Sequence, residues 1–127
     1  IAAVHSSNFL VGNLFNAFAL ISSKGNFQID ILKRTTQSAL ENVFKLSPAK
    51  ALSGPIDRGD FHTINKHLEA LDSEIRKSKS NKRLKLLWLN YIIQSLSLLE
   101  VVKAKYGRLN ENHLKIENFL KSKSKLG

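Results

Sequence analysis

The stretch from Phe61 to Ile75 constrains the chain most. Phe61, Ile64, Leu68, Leu71 and Ile75 recur at spacings of three and four residues, with Lys66, Glu69, Asp72 and Glu74 between them. That is the period of one face of an α-helix; a strand, whose side chains alternate every two residues, cannot bury all five on one side. The same period returns through most of the chain, and no segment shows strand alternation or an internal repeat. The expected fold is therefore all-α, a five- to six-helix bundle.

The first helix is expected over about residues 3–23, with Gly25 in Lys24-Gly25-Asn26 as its left-handed stop. Val4, Phe9, Leu10, Val11, Leu14, Phe15, Phe18, Leu20 and Ile21 surround most of its circumference, so it reads as a central, buried helix. His5, Asn8, Gly12 and Asn16 interrupt that surface as a small or polar seam, with Gly12 read as permitting a close helix contact. A second helix is expected over 28–46, and Ser47-Pro48 as a cap and first residue of a short turn over 48–52. Residues 53–60 form the longest break in helical pattern. There Pro55 keeps Gly54 extended, Gly59 permits positive φ, and Asp60 caps the helix that begins at Phe61. Residues 77–82 read as a polar linker. A helix over 82–105 ends at Gly107, and Asn110 caps a last helix to about Leu120, with 121–125 frayed. Leu86, Leu89, Ile93 and Val101 widen the apolar surface of the 82–105 helix beyond one face, which asks for neighbours on both sides or a second subunit.

Composition narrows the function. The 127 residues include no cysteine, which excludes a disulfide framework, a thiol nucleophile and thiolate metal sites, and fits a reducing, cytoplasmic setting. The chain also lacks methionine, so a segment removed before Ile1 or an excised fragment is expected. The apolar opening has no basic leader, and His5, Asn8, Asn13 and Asn16 break it, so neither a secretory signal nor a membrane span is expected. A net charge of +10 points to polyanions, yet lysine outnumbers arginine 15 to 5, whereas phosphate and base recognition favour arginine's fork. A lysine-rich solvated surface, including Lys77-Ser78-Lys79-Ser80-Asn81-Lys82-Arg83-Leu84-Lys85, explains most of that charge, and nucleic acid is not the expected partner. His5, His62, His67 and His113 do not share a ligating spacing, so no metal site is expected. No Gly-x-Gly-x-x-Gly, P-loop or His-Glu-x-x-His motif occurs. Arg58-Gly59-Asp60 is explained as a turn and a cap, not as an adhesion motif.

Two stretches together resemble a known family: Ile1-Ala-Ala-Val-His-Ser-Ser-Asn-Phe-Leu-Val-Gly-Asn-Leu-Phe-Asn-Ala-Phe18, and, further on, the segment running from Lys50 to Leu71 that contains Gly54-Pro55-Ile56-Asp57-Arg58-Gly59-Asp60. They are similar to the C-terminal half, a domain of unknown function, of bacterial proteins with an N-terminal Rossmann-like NAD(P)-binding domain. That half is related to the helical C-terminal domains of 6-phosphogluconate and hydroxyisobutyrate dehydrogenases. The resemblance implies one helical domain over 1–127 that closes a substrate cleft and makes a homodimer contact. It also implies a missing Rossmann domain, NAD or NADP in the intact protein, no cofactor in this domain, and no activity of this chain alone. In the better-known dehydrogenases the first helix presents a Lys-x-x-x-Asn pair. Asn8 fits the asparagine; four residues before it stands Val4, and His5 is the nearest ionisable group. The candidate catalytic residues are accordingly His5 and Asn8, and the candidate ligand-contacting loop contributes Gly54, Pro55, Arg58 and Asp60. The alternative reading is a basic helical module that binds nucleic acid or another polyanion.

Overall fold

The computed structural model describes residues 1–21, 27–78 and 82–125. Among them are seven α-helices and no strand: α1 (Ala2–Ile21), α2 (Phe27–Leu46), α3 (Pro48–Ala51), α4 (Pro55–Arg58), α5 (Phe61–Lys77), α6 (Lys82–Tyr106) and α7 (Glu111–Ser124). The five long helices and the turn after Pro48 are those the sequence predicts. The additional one is α4, inside the segment read as a break. A single turn has too few apolar positions to show a period, so only Pro55 and Gly59 mark it. The expected stop of α1 at Lys24-Gly25-Asn26 and the centre of the linker, 79–81, lie outside the described residues.

The chain divides into two compact units, Ile1–Glu41 and Asn42–Gly127. In the second, α6 is the hub: it meets α3, α4, α5 and α7, and α5 meets α4 and α7. Ile56, Ile64, Leu68, Ile92, Leu99, Val102, Ile116 and Leu120 form the core, with Phe61, Trp88 and Phe119 packed around it. Each such side chain withdrawn from water stabilises the fold by about 1.5–3 kcal/mol before chain entropy is subtracted. α6 is also long and apolar enough to cross a membrane by length and composition. Here its Leu87, Ile92, Leu99 and Val102 are buried in this helical core.

The ends of the elements follow local chemistry. Ser47 accepts from the Lys50 N–H at 3.3 Å ahead of Pro48. Gly107, at φ 79°, ends α6 and donates its N–H to the Lys103 carbonyl at 2.7 Å. α7 continues to Ser124 instead of fraying after Leu120. Leu120 is fully buried, Lys121 pairs with Glu117 at 3.2 Å, and the Lys123 ammonium lies 5.6 Å from the Phe119 ring centre.

In the first unit, α1 departs from its expected buried state. Val4, Phe9, Val11 and Phe15 are 59–71 % exposed, and among the described residues nothing lies within 4 Å of a Cβ built on Gly12.

Candidate functional site

The Gly54–Asp60 segment is a closed turn. Gly54 sits at φ 100°, a left-handed value and not the extended one expected before Pro55. Pro55 then opens α4 with its φ preset and no N–H to leave unmade. Gly59, at φ 67°, donates its N–H to the Ile56 carbonyl at 3.1 Å, and the Asp60 N–H reaches the Pro55 carbonyl at 2.8 Å. This paired closure satisfies carbonyls a short helix would otherwise leave bare. Gly59 is needed twice, because a Cβ there would lie 2.9 Å from the Asn112 Cβ at the start of α7. Asp60 caps α5 as expected: Oδ1 accepts from the Thr63 N–H at 3.1 Å and Oδ2 from the Thr63 hydroxyl at 2.7 Å. Those two bonds hold its carboxyl below the usual carboxylate range.

Asp57 fastens this turn to the body. Its Oδ2 accepts from Lys105 Nζ at 2.8 Å and its Oδ1 from the Tyr106 hydroxyl at 3.1 Å. Lys105 Nζ also donates to the Leu52 carbonyl at 3.0 Å. The Asp57 carboxylate beside it raises the Lys105 pKa above the ordinary lysine value. On the other side, His113 Nε2 lies 2.9 Å from the Asp57 carbonyl oxygen. The Asn110 N–H donates to His113 Nδ1 at 3.3 Å, and Asn110 Oδ1 accepts from the His113 N–H at 3.0 Å. An Nδ1 that accepts carries no proton, so His113 is the neutral Nε2–H tautomer and donates to Asp57. This is a capping box with histidine where glutamate or glutamine usually stands. Tyr106 stacks on His113, the ring centres 6.5 Å apart and 20° from parallel.

These residues line an open cleft of about 550 Å³ bounded by Asp57, Arg58, Tyr106, Arg108, Asn110 and His113. Its charges do not cancel. Asp57 is paired with Lys105, and the His113 Nδ1 is taken up by the Asn110 N–H. Arg58 approaches Asp60 only to 3.9 Å and is 64 % exposed. Arg108, in the loop between α6 and α7, has no ion-pair partner among the described residues. The cleft therefore presents two guanidiniums to solvent.

The structure brings together Gly54, Pro55, Arg58 and Asp60 in one turn of the second unit. His5 and Asn8 are three residues apart on α1 in the first unit, both exposed. The sequence reading missed Asp57, Lys105, Tyr106, Arg108 and His113. The only local signal was Asn110-x-x-His113, a capping pattern with an unusual third residue. Among the described residues no group of three His, Asp or Glu side chains is arranged to hold a metal ion.

Neither a curated protein nor a solved structure matches the chain. A family model does match, over residues 1–81, and it covers α1 through α5 with the whole Gly54–Asp60 turn. The chain belongs to the family described as Domain of unknown function (DUF2520).

Proposed function

We propose that this chain is the substrate-cleft and dimerisation domain of an NAD(P)-dependent oxidoreductase-like protein, inactive without a nucleotide-binding domain. The observation that supports it most is the Gly54–Asp60 turn. It is locked by its own backbone, by Gly59 against α7 and by Asp57 against α6, while Arg58 is left exposed at the edge of a cleft. A turn already ordered in this way loses little entropy when a ligand binds, which suits a contact whose position must be fixed. The two glycines of the turn serve a four-residue helix. They form no Gly-rich loop ahead of a long helix, so the dinucleotide phosphates would be held by the other domain.

The lysines favour this reading over a general polyanion-binding face. Lys77, Lys103, Lys105 and Lys121 each lie against a carboxylate within 3.2 Å, so these four are engaged within the chain and do not form part of a free basic face. The test compares the full-length protein, including whatever precedes Ile1, with the 127-residue chain. Titration with NADH and NADPH, followed by nicotinamide fluorescence, is expected to show saturable binding of at least one dinucleotide to the full-length protein and of neither to the 127-residue chain. Failure of the full-length protein to bind either dinucleotide, with no strand and Gly-x-Gly-x-x-Gly turn encoded ahead of Ile1, overturns the reading.

A further inference from the structure

We infer that the cleft between the α4 turn and the start of α7 binds a small dianion, in class a phosphate monoester, through Arg58 and Arg108. The inference rests on reading this cleft as the substrate side, and it adds the charge and class of the ligand.

Both guanidiniums have spare donors: Arg58 meets Asp60 only at 3.9 Å, beyond hydrogen-bond distance, and Arg108 has no ion-pair partner among the described residues. The lining contains one carboxylate, Asp57, and both of its oxygens are engaged, by Lys105 and by Tyr106. A cation entering the cleft would find no free acceptor of full charge there. An anion finds two guanidiniums, each with paired N–H donors matched to phosphate oxygens. Asn110 adds to this: its Oδ1 is committed to the His113 N–H, which leaves its amide NH₂ to donate. Both His113 ring nitrogens are already engaged, by the Asn110 N–H and by the Asp57 carbonyl. Two positive charges balance a dianion better than a monocarboxylate, which one fork suffices to hold. Tyr106 is 55 % exposed and is kept parallel to the His113 ring, so it offers an apolar face beside the charged end. The volume exceeds that of a bare phosphate and leaves room for the organic part of a monoester.

The probe is inorganic phosphate, titrated into the 127-residue chain at constant ionic strength and at a pH where phosphate is a dianion. Chloride and acetate serve as comparison anions, and amide shifts are followed by NMR. Saturable shifts are expected at Arg58, Arg108, Asn110 and His113 with phosphate, and much weaker ones with acetate. Arg58→Gln and Arg108→Gln are each expected to weaken phosphate binding by about tenfold, the scale of one lost charge-assisted contact. Arg76→Gln, on the last turn of α5, is expected to leave it unchanged. Shifts that never saturate, acetate binding as tightly as phosphate, or equal loss in all three variants would each overturn the inference. These outcomes are independent of dinucleotide binding by the full-length protein. Phosphate failure with dinucleotide binding intact removes only the dianion, and the converse removes only the oxidoreductase reading.

Discussion

Gly59 and Asp57 show how two residues of one turn fix its place by different means. Gly59 combines φ 67° with a Cβ position 2.9 Å from Asn112, so Gly59→Ala meets both backbone strain and a clash. Urea unfolding of that variant should show a loss of about 2–3 kcal/mol, and an unchanged midpoint would refute the account. Asp57→Ala removes the acceptor of two hydrogen bonds and leaves the Lys105 ammonium without its carboxylate. A loss of about 2 kcal/mol is expected, against about 1 kcal/mol for Tyr106→Phe, which removes one bond. Alkaline stability has its own marker in Tyr91, whose pKa burial raises from 10.0 to about 12. The folded state prefers the neutral phenol, so this contribution is complete below pH 10.0 and is lost as pH climbs towards about 12. Tyr91→Phe should abolish that part of the decline when urea midpoints are compared across this range. Asp60 has the opposite sign: its lowered pKa gives stability present above 3.8 and lost as pH falls through the lower folded value. Asp60's role as a cap was legible because capping is read from adjacent residues. Asp57's was not, because its partners stand 48 and 49 residues away and only packing brings them near.

Whole elements were more legible than their surroundings. α5 begins at Phe61 behind the Asp60 cap, and α7 begins behind Asn110, where the sequence sets them, since caps and period are both local. The single turn α4 and the last turn of α7 were not, because one is too short for a period and the other is held by tertiary contacts: Leu120 in the core and Lys123 within 4.0 Å of Asp72. α1 gives the sharpest test of the gap between pattern and packing. If Gly12 served a close helix contact, Gly12→Ala would destabilise the chain. With nothing among the described residues within 4 Å of its Cβ and a position mid-helix, the substitution should instead stabilise α1 by up to about 1 kcal/mol. Amide hydrogen exchange along α1 reads this directly, and faster exchange in the variant would show that a neighbour does occupy the site. Leu99→Ala, at the opposite extreme of burial on α6, should cost about 3 kcal/mol in the second unit.

At the scale of the molecule, the apolar surface exceeds what the described contacts cover. Val4, Phe9, Val11 and Phe15 on α1, and Leu86, Leu89 and Ile93 on α6, are all exposed. Scattered exposed leucines are ordinary, but residues 86, 89 and 93 fall at i, i+3 and i+7, one continuous stripe on a helix whose other side is already in the core. Stripes of this kind mark association surfaces, and a two-fold contact between copies is the commonest way to cover one. The sequence showed that α6 is apolar on more than one side; it left open whether neighbours or a second subunit do the covering. Within the second unit, the Leu87, Ile92, Leu99 and Val102 side is filled by the core, and nothing of that core covers the Leu86 side. The expected outcome is therefore a homodimer at micromolar concentration in light scattering. Leu86→Asp with Ile93→Asp should return it to a monomer with its helical circular dichroism intact, because neither residue belongs to the core. A wild-type monomer at that concentration would sink the dimer. Dimers that survive the double substitution would move the contact to α1, where Phe9→Asp with Phe15→Asp is the corresponding variant.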